Sequence, residues 1–458
     1  MYVEQLYTNC LAEAAYYIES DGEAAIIDPI RETEPYVALA TKRNATIKYV
    51  FETHFHADFV SGHIDLAKKV NAPIVYGPQA ETNYKIYSAK DGEEFKLGKL
   101  TIKVLHTPGH TPESSCFLLF DENKKEYAVF TGDTLFVGDV GRPDLLDGVM
   151  TQDELASMLY DSLNTKIKTL PDGVIVYPAH GPGSACGKNI GKETFSTIGE
   201  QKKFNYALKD ITREQFIAQV TDGILPPPSY FFEDARINKQ GYDPIELVMK
   251  DNQKPLSVDT FKNEIKKGAL VLDTRQADEF EKGFIKGSVN IGLNGQYAVW
   301  VGTLIDIKQP LLLIAHEGTE HEAILRLARV GYENVVGYLQ GGINEWDEKL
   351  ETVKSIFAEQ LKTEMEKGID VLDVRKHGEW NTSHLKDAQF LPLANFPKNL
   401  HGLDKSKPYI VHCGGGYRSM TAISMMKREG FTNLINVYGG FGAMVSAGLE
   451  ILVEEVVA

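Results

Sequence analysis

Thr53-His54-Phe55-His56-Ala57-Asp58-Phe59 is the stretch on which the reading of this chain turns. It follows directly on Ile47-Lys48-Tyr49-Val50-Phe51, a short aromatic and β-branched run of the kind that forms a buried strand. Three further runs end in the same way. Thr101-Ile102-Lys103-Val104-Leu105 leads to His110 in Thr107-Pro108-Gly109-His110-Thr111. Tyr127-Ala128-Val129-Phe130 leads through Thr131-Gly132 to Asp133, and Val174-Ile175-Val176-Tyr177 leads through Pro178-Ala179 to His180. Each strand end delivers an imidazole or a carboxylate, with Gly or Pro nearby to set the turn. A lone histidine is more often a satisfied core or surface residue, but an ordered set at successive strand ends predicts a metal centre. Imidazole nitrogen and carboxylate oxygen suit zinc and iron alike. Spacing alone does not say which of His54, His56, Asp58, His110, Asp133 and His180 would bind.

Working outward, the runs Val60 to Val70 and Gln152 to Leu163 read as helices between the strands, so residues up to about 235 form a layered α/β pattern. Pro226-Pro227-Pro228 stiffens the chain, and the polar segment up to about Lys254 is predicted to be a linker. The remainder holds an internal repeat. Val271-Leu272-Asp273-Thr274-Arg275, the Gly331 region and Gly341-Gly342 recur as Val371-Leu372-Asp373-Val374-Arg375, the Gly430 region and Gly439-Gly440. Three matched landmarks about 100 residues apart mean a duplicated domain, not a solenoid unit. Each copy alternates strand and helix signals, which predicts a mostly parallel sheet covered on both faces. The predicted domains are residues 1–240, 255–350 and 355–458, in keeping with 458 residues at roughly 150 per domain.

Composition limits the partners. A hydrophobic fraction of 43% and a charged fraction of 24% are ordinary for a globular protein, and no segment approaches the ~20 apolar residues that span a bilayer. The N-terminus carries no basic stretch followed by an apolar run, so no secretory signal is expected. A formal charge of −16 argues against nucleic acid and anionic membranes. Cys10, Cys116, Cys186 and Cys413 are too few and too dispersed for a disulfide framework, which predicts reduced thiols and a cytoplasmic setting.

The first domain resembles the metallo-β-lactamase superfamily, whose signature His-x-His-x-Asp-His is followed by His, Asp and His at later strand ends. That resemblance implies an αββα sandwich. Phe59 stands where dinuclear zinc hydrolases of the family place a second-metal histidine, and a hydrocarbon ring cannot coordinate, which favours a single metal. A mononuclear site, together with Val140-Gly141-Arg142-Pro143-Asp144, resembles the persulfide dioxygenase family. The resemblance implies Fe(II), one per chain with zinc possible as purified, held by His54, His110 and Asp133. Such a face leaves positions open for sulfur and dioxygen together. His56, Asp58 and His180 would orient the ligands or hydrogen-bond to what binds there. The implied reaction oxidises the terminal sulfur of a small thiol persulfide with O2, giving sulfite and the thiol. Arg142 is the candidate for gripping an anionic part of the substrate, with a salt bridge to Asp144 as the plain alternative. Glutathione-persulfide members of the family carry Asp-Tyr after the equivalent of His180, where this chain has Gly181-Pro182, so the carrier thiol stays open. Cys186, in a Gly-rich loop beyond His180, either packs or holds a persulfide.

In the last domain Tyr409-Ile410-Val411-His412 reads as a buried strand running into Cys413-Gly414-Gly415-Gly416-Tyr417-Arg418-Ser419 and an apolar helix. Three glycines let successive N–H groups curl inward as an anion nest, and the helix adds its positive end. A thiol there is expected to be largely thiolate. The loop resembles the rhodanese active site, with Cys413 and Arg418 catalytic and Gly414, Gly415, Gly416 and Tyr417 lining the substrate. Opposite it in the middle domain lies Ile314-Ala315-His316-Glu317-Gly318-Thr319-Glu320-His321-Glu322, with His316 near the cysteine position. A carboxylate-rich loop without sulfur predicts a silent scaffold or docking domain.

The whole resembles the three-domain persulfide dioxygenase–sulfurtransferases of sulfide detoxification. Sulfite and thiosulfate then join the persulfide and O2 as partners, and a homo-oligomer, dimer or tetramer, is expected. The rival reading is a dinuclear zinc thioester hydrolase of the glyoxalase II type fused to a sulfurtransferase.

Overall fold

The computed structural model describes residues 1–145 and 149–453. The end of the third predicted domain, residues 454–458, lies outside them. The chain forms two compact units, Met1–Leu247 with Ala328–Gly331, and Val248–Leu327 with Tyr332–Ala458.

The first unit carries two six-stranded sheets. One runs β1 (Tyr2–Thr8), β2 (Glu13–Ser20), β3 (Glu23–Ile27), β4 (Thr46–Glu52), β5 (Ile74–Tyr76), β6 (Tyr87–Ser88). The other contains β7 (Glu94–Leu97), β8 (Leu100–His106), β9 (Ser115–Phe120), β10 (Glu126–Gly132), β11 (Ile175–Pro178) and β12 (Ser196–Thr197), in the spatial order β12-β11-β10-β9-β8-β7. Alternate side chains face each other across the gap: Tyr16, Ile18, Ala25, Ile27 and Phe51 meet Ile102, Val104, Phe117, Leu119 and Phe130. At ~1.5–3 kcal/mol for each large apolar side chain removed from water, this layer is what holds the strand ends in place. On the outer face of the second sheet Cys116, Leu118, Val129 and Val176 pack against Ala156 and Leu159 of the helix Gln152–Ser162. That helix starts at a capping box of Thr151 and Glu154, which satisfies two end donors reciprocally. The helix His63–Val70 covers β4 on the other side. The expected αββα sandwich is present.

The segment predicted as a linker is helical instead, forming Tyr230–Gln240 and Ile245–Asn252. Its polar composition misled because only one face is inside: Tyr230, Phe231, Asp234 and Asn238, spaced as one helical stripe, are buried.

The second unit holds two five-stranded sheets whose strand pairings are all parallel. β13 (Pro255–Leu256), β14 (Leu270–Asp273), β15 (Val289–Asn290), β16 (Leu311–Ile314) and β17 (Val335–Leu339) lie in the order β13-β17-β16-β14-β15. β18 (Lys354–Ile356), β19 (Asp370–Asp373), β20 (Ser383–Leu385), β21 (Gln389–Phe390), β22 (Tyr409–His412), β23 (Leu434–Val437) and β24 (Ile451–Val453) follow, with β18-β23-β22-β19-β21 as the matching sheet and β20-β24 a small ribbon. The repeat extends to single bonds. Arg275 donates to Asp273 Oδ2 from Nη2 at 2.6 Å, and Arg375 to Asp373 Oδ2 at 2.6 Å.

Candidate active sites

β4, the turn after β8, β10 and β11 bring His54, His110, Asp133 and His180 to one rim. His54 Nε2 lies 3.8 Å and His110 Nε2 3.5 Å from Asp133 Oδ2. All three residues are buried, and none of these three atoms has a hydrogen-bond partner within the protein. Unpartnered polar atoms in a core are costly, and their convergence within 4.8 Å fits a metal ion. The far side of each ring is fixed. Asp28 Oδ2 accepts from Thr53 Oγ1 at 2.8 Å, and Thr53 Oγ1 lies 2.9 Å from His54 Nδ1, so it is left to accept from that nitrogen. His110 Nδ1 donates to the carbonyl of Arg142 at 2.8 Å. Both imidazoles therefore turn a lone pair of Nε2 toward the centre, as metal ligation requires. Burial, reinforced by neighbouring His56, holds His54 well below the usual imidazole range in spite of Asp133, so it is neutral.

His180 lies between two carboxylates, its Nδ1 2.7 Å from Asp133 Oδ1 and its Nε2 2.8 Å from Asp58 Oδ2. Burial opposes a charge there, but Asp133 and Asp58 outweigh it and raise His180 well above its ordinary value. His56 does not join the three converging atoms. Its Nε2 faces Asp28 Oδ1 at 3.2 Å and Glu52 Oε2 at 3.6 Å. Phe59 is fully buried with its ring 4.4 Å from that of His56. Cys186 Sγ, buried, falls within 4.8 Å of Asp58 and His180 ligand atoms. Burial, then the Asp58 and Asp133 carboxylates, push its thiol up, so it is protonated at neutral pH.

Arg142 makes the salt bridge with Asp144 that was its plain alternative. Nε and Nη2 clamp Asp144 at 2.6 and 2.7 Å, Nη2 also reaches the carbonyl of Leu225 at 2.6 Å, and Nη1 that of Ala185 at 3.2 Å. With its guanidinium engaged by protein on three sides, Arg142 braces the loops around the site. Gly141 before it has a steric reason that the motif alone did not disclose: an added β-carbon would stand 2.1 Å from the Asp133 carbonyl and 2.9 Å from His110 Nδ1.

Other residues escaped the sequence reading. Asn238 donates to the carbonyls of His56 and Phe59, both at 2.8 Å, and accepts from the Ser61 amide at 2.9 Å, stapling the histidine loop. Asp28, Glu52 and Glu13 are buried carboxyls around the same centre. Of these, Asp28 alone carries a local mark, following the apolar run Ala24-Ala25-Ile26-Ile27.

In the last repeat Cys413 directly follows β22, buried, with the Gly416 amide donating to its Sγ at 3.1 Å. Gly416 takes φ +109°, which lets the loop curl into the helix Tyr417–Arg428. Arg418 makes a two-pronged pair with Glu379 at 2.5 and 2.8 Å. Gly439-Gly440 closes in from behind: Phe441 N donates to the Cys413 carbonyl at 2.7 Å, and a β-carbon on Gly440 would meet that oxygen at 2.3 Å.

Strand register corrects the assignment in the middle repeat. Asp373 pairs with His412 and Asp273 with Ile314, so Ala315, not His316, takes the place of Cys413. Gly342 lies against the Ala315 carbonyl as Gly440 does against that of Cys413. The same count sets Glu320 opposite Arg418, and its carboxylate is turned to the Gly318 amide at 2.8 Å. His316 instead pairs with Glu279, the counterpart of Glu379, at 3.0 Å. Nucleophile and anion-binding cation are both gone.

Sequence and structure together define a metal-binding αββα enzyme domain joined to tandem rhodanese folds, and the chain belongs to the metallo-beta-lactamase superfamily, with two rhodanese-like domains following. The superfamily pattern matches residues 8–180, and the rhodanese-like pattern matches 257–349 and 357–447. Human persulfide dioxygenase ETHE1, mitochondrial, is 31% identical over 212 residues, 45% of this chain and 74% of that protein. A probable hydroxyacylglutathione hydrolase of Schizosaccharomyces pombe is 33% identical over 165 residues, 35% of this chain and only 60% of its own length. The crystal structure of a metallo-beta-lactamase from Staphylococcus aureus superposes with a TM-score of 0.66 at 31% identity, covering 74% of this chain and 98% of that one. No helix among the described residues is long and apolar enough to cross a membrane.

Proposed function

We propose that the first domain is a mononuclear iron persulfide dioxygenase and that the last repeat is its partner sulfurtransferase, acting in sulfide detoxification in the cytoplasm. The observation that carries this reading is the convergence of His54 Nε2, His110 Nε2 and Asp133 Oδ2, with Phe59 filling the place of a second-metal ligand. Bound iron(II) would supply open positions where a persulfide sulfur and dioxygen meet. The overall balance is R–S–SH + O2 + H2O giving R–SH and sulfurous acid, ionised as sulfite.

The chain's own residues do the positioning. Thr53 and Asp28 orient His54, the Arg142 carbonyl orients His110, and His180 occupies Asp133 Oδ1 so that Oδ2 alone is offered. Phe55 and Phe59 keep the loop dry, which strengthens these interactions. Cys186, beside Asp58 and His180, is our candidate for contact with the substrate sulfur. In the last repeat the Cys413 thiolate attacks a sulfane sulfur, stabilised by the Gly416 amide and Arg418. A homo-oligomer remains our expectation for the assembled enzyme.

Oxygen-electrode assays of iron-loaded protein with glutathione, coenzyme A and cysteine persulfides test the reading. Oxygen uptake with sulfite formation on at least one carrier is expected, and none on any carrier overturns it. Cys413→Ser should keep oxygen uptake while losing sulfur transfer. A second reading, the dinuclear thioester hydrolase, draws on the Asp58, His180 and Cys186 cluster and on the hydrolase relatives. Two zinc ions per chain with thioester cleavage would favour it.

A further inference from the structure

The silent repeat has lost its nucleophile but not its place beside the live one. Tyr417, next to Arg418 in the catalytic loop, donates its hydroxyl to the Gly292 carbonyl at 2.8 Å. Its ring lies so close to the silent repeat that a β-carbon on Gly295 would stand 2.6 Å from it, leaving glycine the residue that fits. Immediately after this loop, Gln296 and Trp300 of the silent repeat join Lys376, Glu379, Tyr417 and Arg418 of the live one around a cavity of about 470 Å³. Cavities of ~300–1,000 Å³ hold small organic ligands, and an ion the size of thiosulfate would leave most of this one empty. Its charges are one carboxylate, already paired with Arg418, and the ammonium of Lys376, a surplus of positive charge. Trp300 supplies a flat apolar wall and Gln296 an amide donor and acceptor.

We propose that the silent repeat forms half of the sulfur-transfer site, and that Gln296 and Trp300 select an organic, carboxylate-bearing persulfide over thiosulfate as sulfur donor to Cys413. This rests on the sulfurtransferase reading given above. The step is Cys413–S⁻ + R–S–SH giving Cys413–S–SH + R–S⁻: the new S–S bond forms as the old one breaks, the proton stays on the transferred sulfur, and the thiolate leaves with the electron pair. No oxidant is consumed. The body of R lies against Trp300, and its carboxylate faces Lys376 and Gln296.

The test uses the full chain and follows persulfide on the Cys413 peptide by mass spectrometry, with glutathione persulfide and thiosulfate as alternative donors. For the wild type, kcat/KM is expected to favour the organic donor. Trp300→Ala should lower the ratio of the two kcat/KM values about tenfold, a loss of ~1.4 kcal/mol of discrimination, chiefly through KM. Gln296→Leu, which removes the amide proposed to face the carboxylate, should lower it in the same sense and serves if Trp300→Ala does not fold. A ratio unmoved in a folded variant overturns the proposal while leaving the sulfurtransferase intact. A wild-type Cys413 that takes up sulfur from neither donor overturns both.

Discussion

The amide of Gly141 donates to the main-chain carbonyl of Asp133 at 3.0 Å, and a β-carbon on the same glycine would stand 2.9 Å from Nδ1 of His110. One residue without a side chain thus ties down the backbone of Asp133 and leaves the His110 ring the room it occupies. Gly141→Ala should cost ~2–3 kcal/mol of stability and lower metal affinity at least about tenfold. Thermal melts and metal analysis read both effects, and a variant with unaltered melting and full metal would show that the loop yields easily.

His180 acts through Asp133 and Asp58. His180→Gln keeps a donor of similar reach but cannot bridge the two carboxylates, so metal affinity should fall ~10–100-fold with the fold retained. Competition with a chromophoric chelator measures it. Undiminished affinity would make the bridge incidental.

On the single-metal reading proposed above, Phe59 is the residue that separates one metal from two. Phe59→His supplies an imidazole beside His56, Asp58 and His180, and zinc content after reconstitution should rise from about one to about two per chain. A variant that still binds one ion would mean that the second position is closed by more than the ring.

Glu13 is fully buried with neither carboxyl oxygen hydrogen-bonded, and burial raises it well above the ordinary value, although His180 opposes the shift. The folded chain therefore keeps a proton there that the unfolded chain releases above about pH 4.3. Stability from this group is complete below that pH and is lost as pH rises, at ~1.4 kcal/mol per unit, until the folded value is reached. Glu13→Gln removes the dependence, so in metal-stripped protein its advantage over wild type should widen between pH 5 and 7. Urea midpoints follow it, and a difference constant with pH would show that Glu13 is ionised in the fold.

Much of the sandwich was legible because its signal is local. Alternating strands such as Thr101–Leu105 and turn residues before His110 and His180 announce a rim, and the Asp273 and Asp373 landmarks announce a duplication. What escaped depends on contacts between residues far apart in sequence. Asn238 sits in a polar helix that composition reads as linker, and only tertiary packing shows its inward stripe. Ala315 rather than His316 replaces Cys413, because strand register, not visual similarity of the loops, sets the alignment. Arg142 faces Asp144 two residues away and carbonyls some forty and eighty residues away; only the first of these partners can be guessed from a motif. Glu13 carries no sequence mark of its burial.

The staple on the histidine loop has a consequence for the order of events during synthesis. The three hydrogen bonds to residues 56, 59 and 61 come from a side chain made some 180 residues later. A growing polypeptide that has already displayed both histidines to the cell lacks the clasp until the helix Tyr230–Gln240 has left the ribosome. The turn that carries His54 and His56 is therefore clasped only after that late helix has been made.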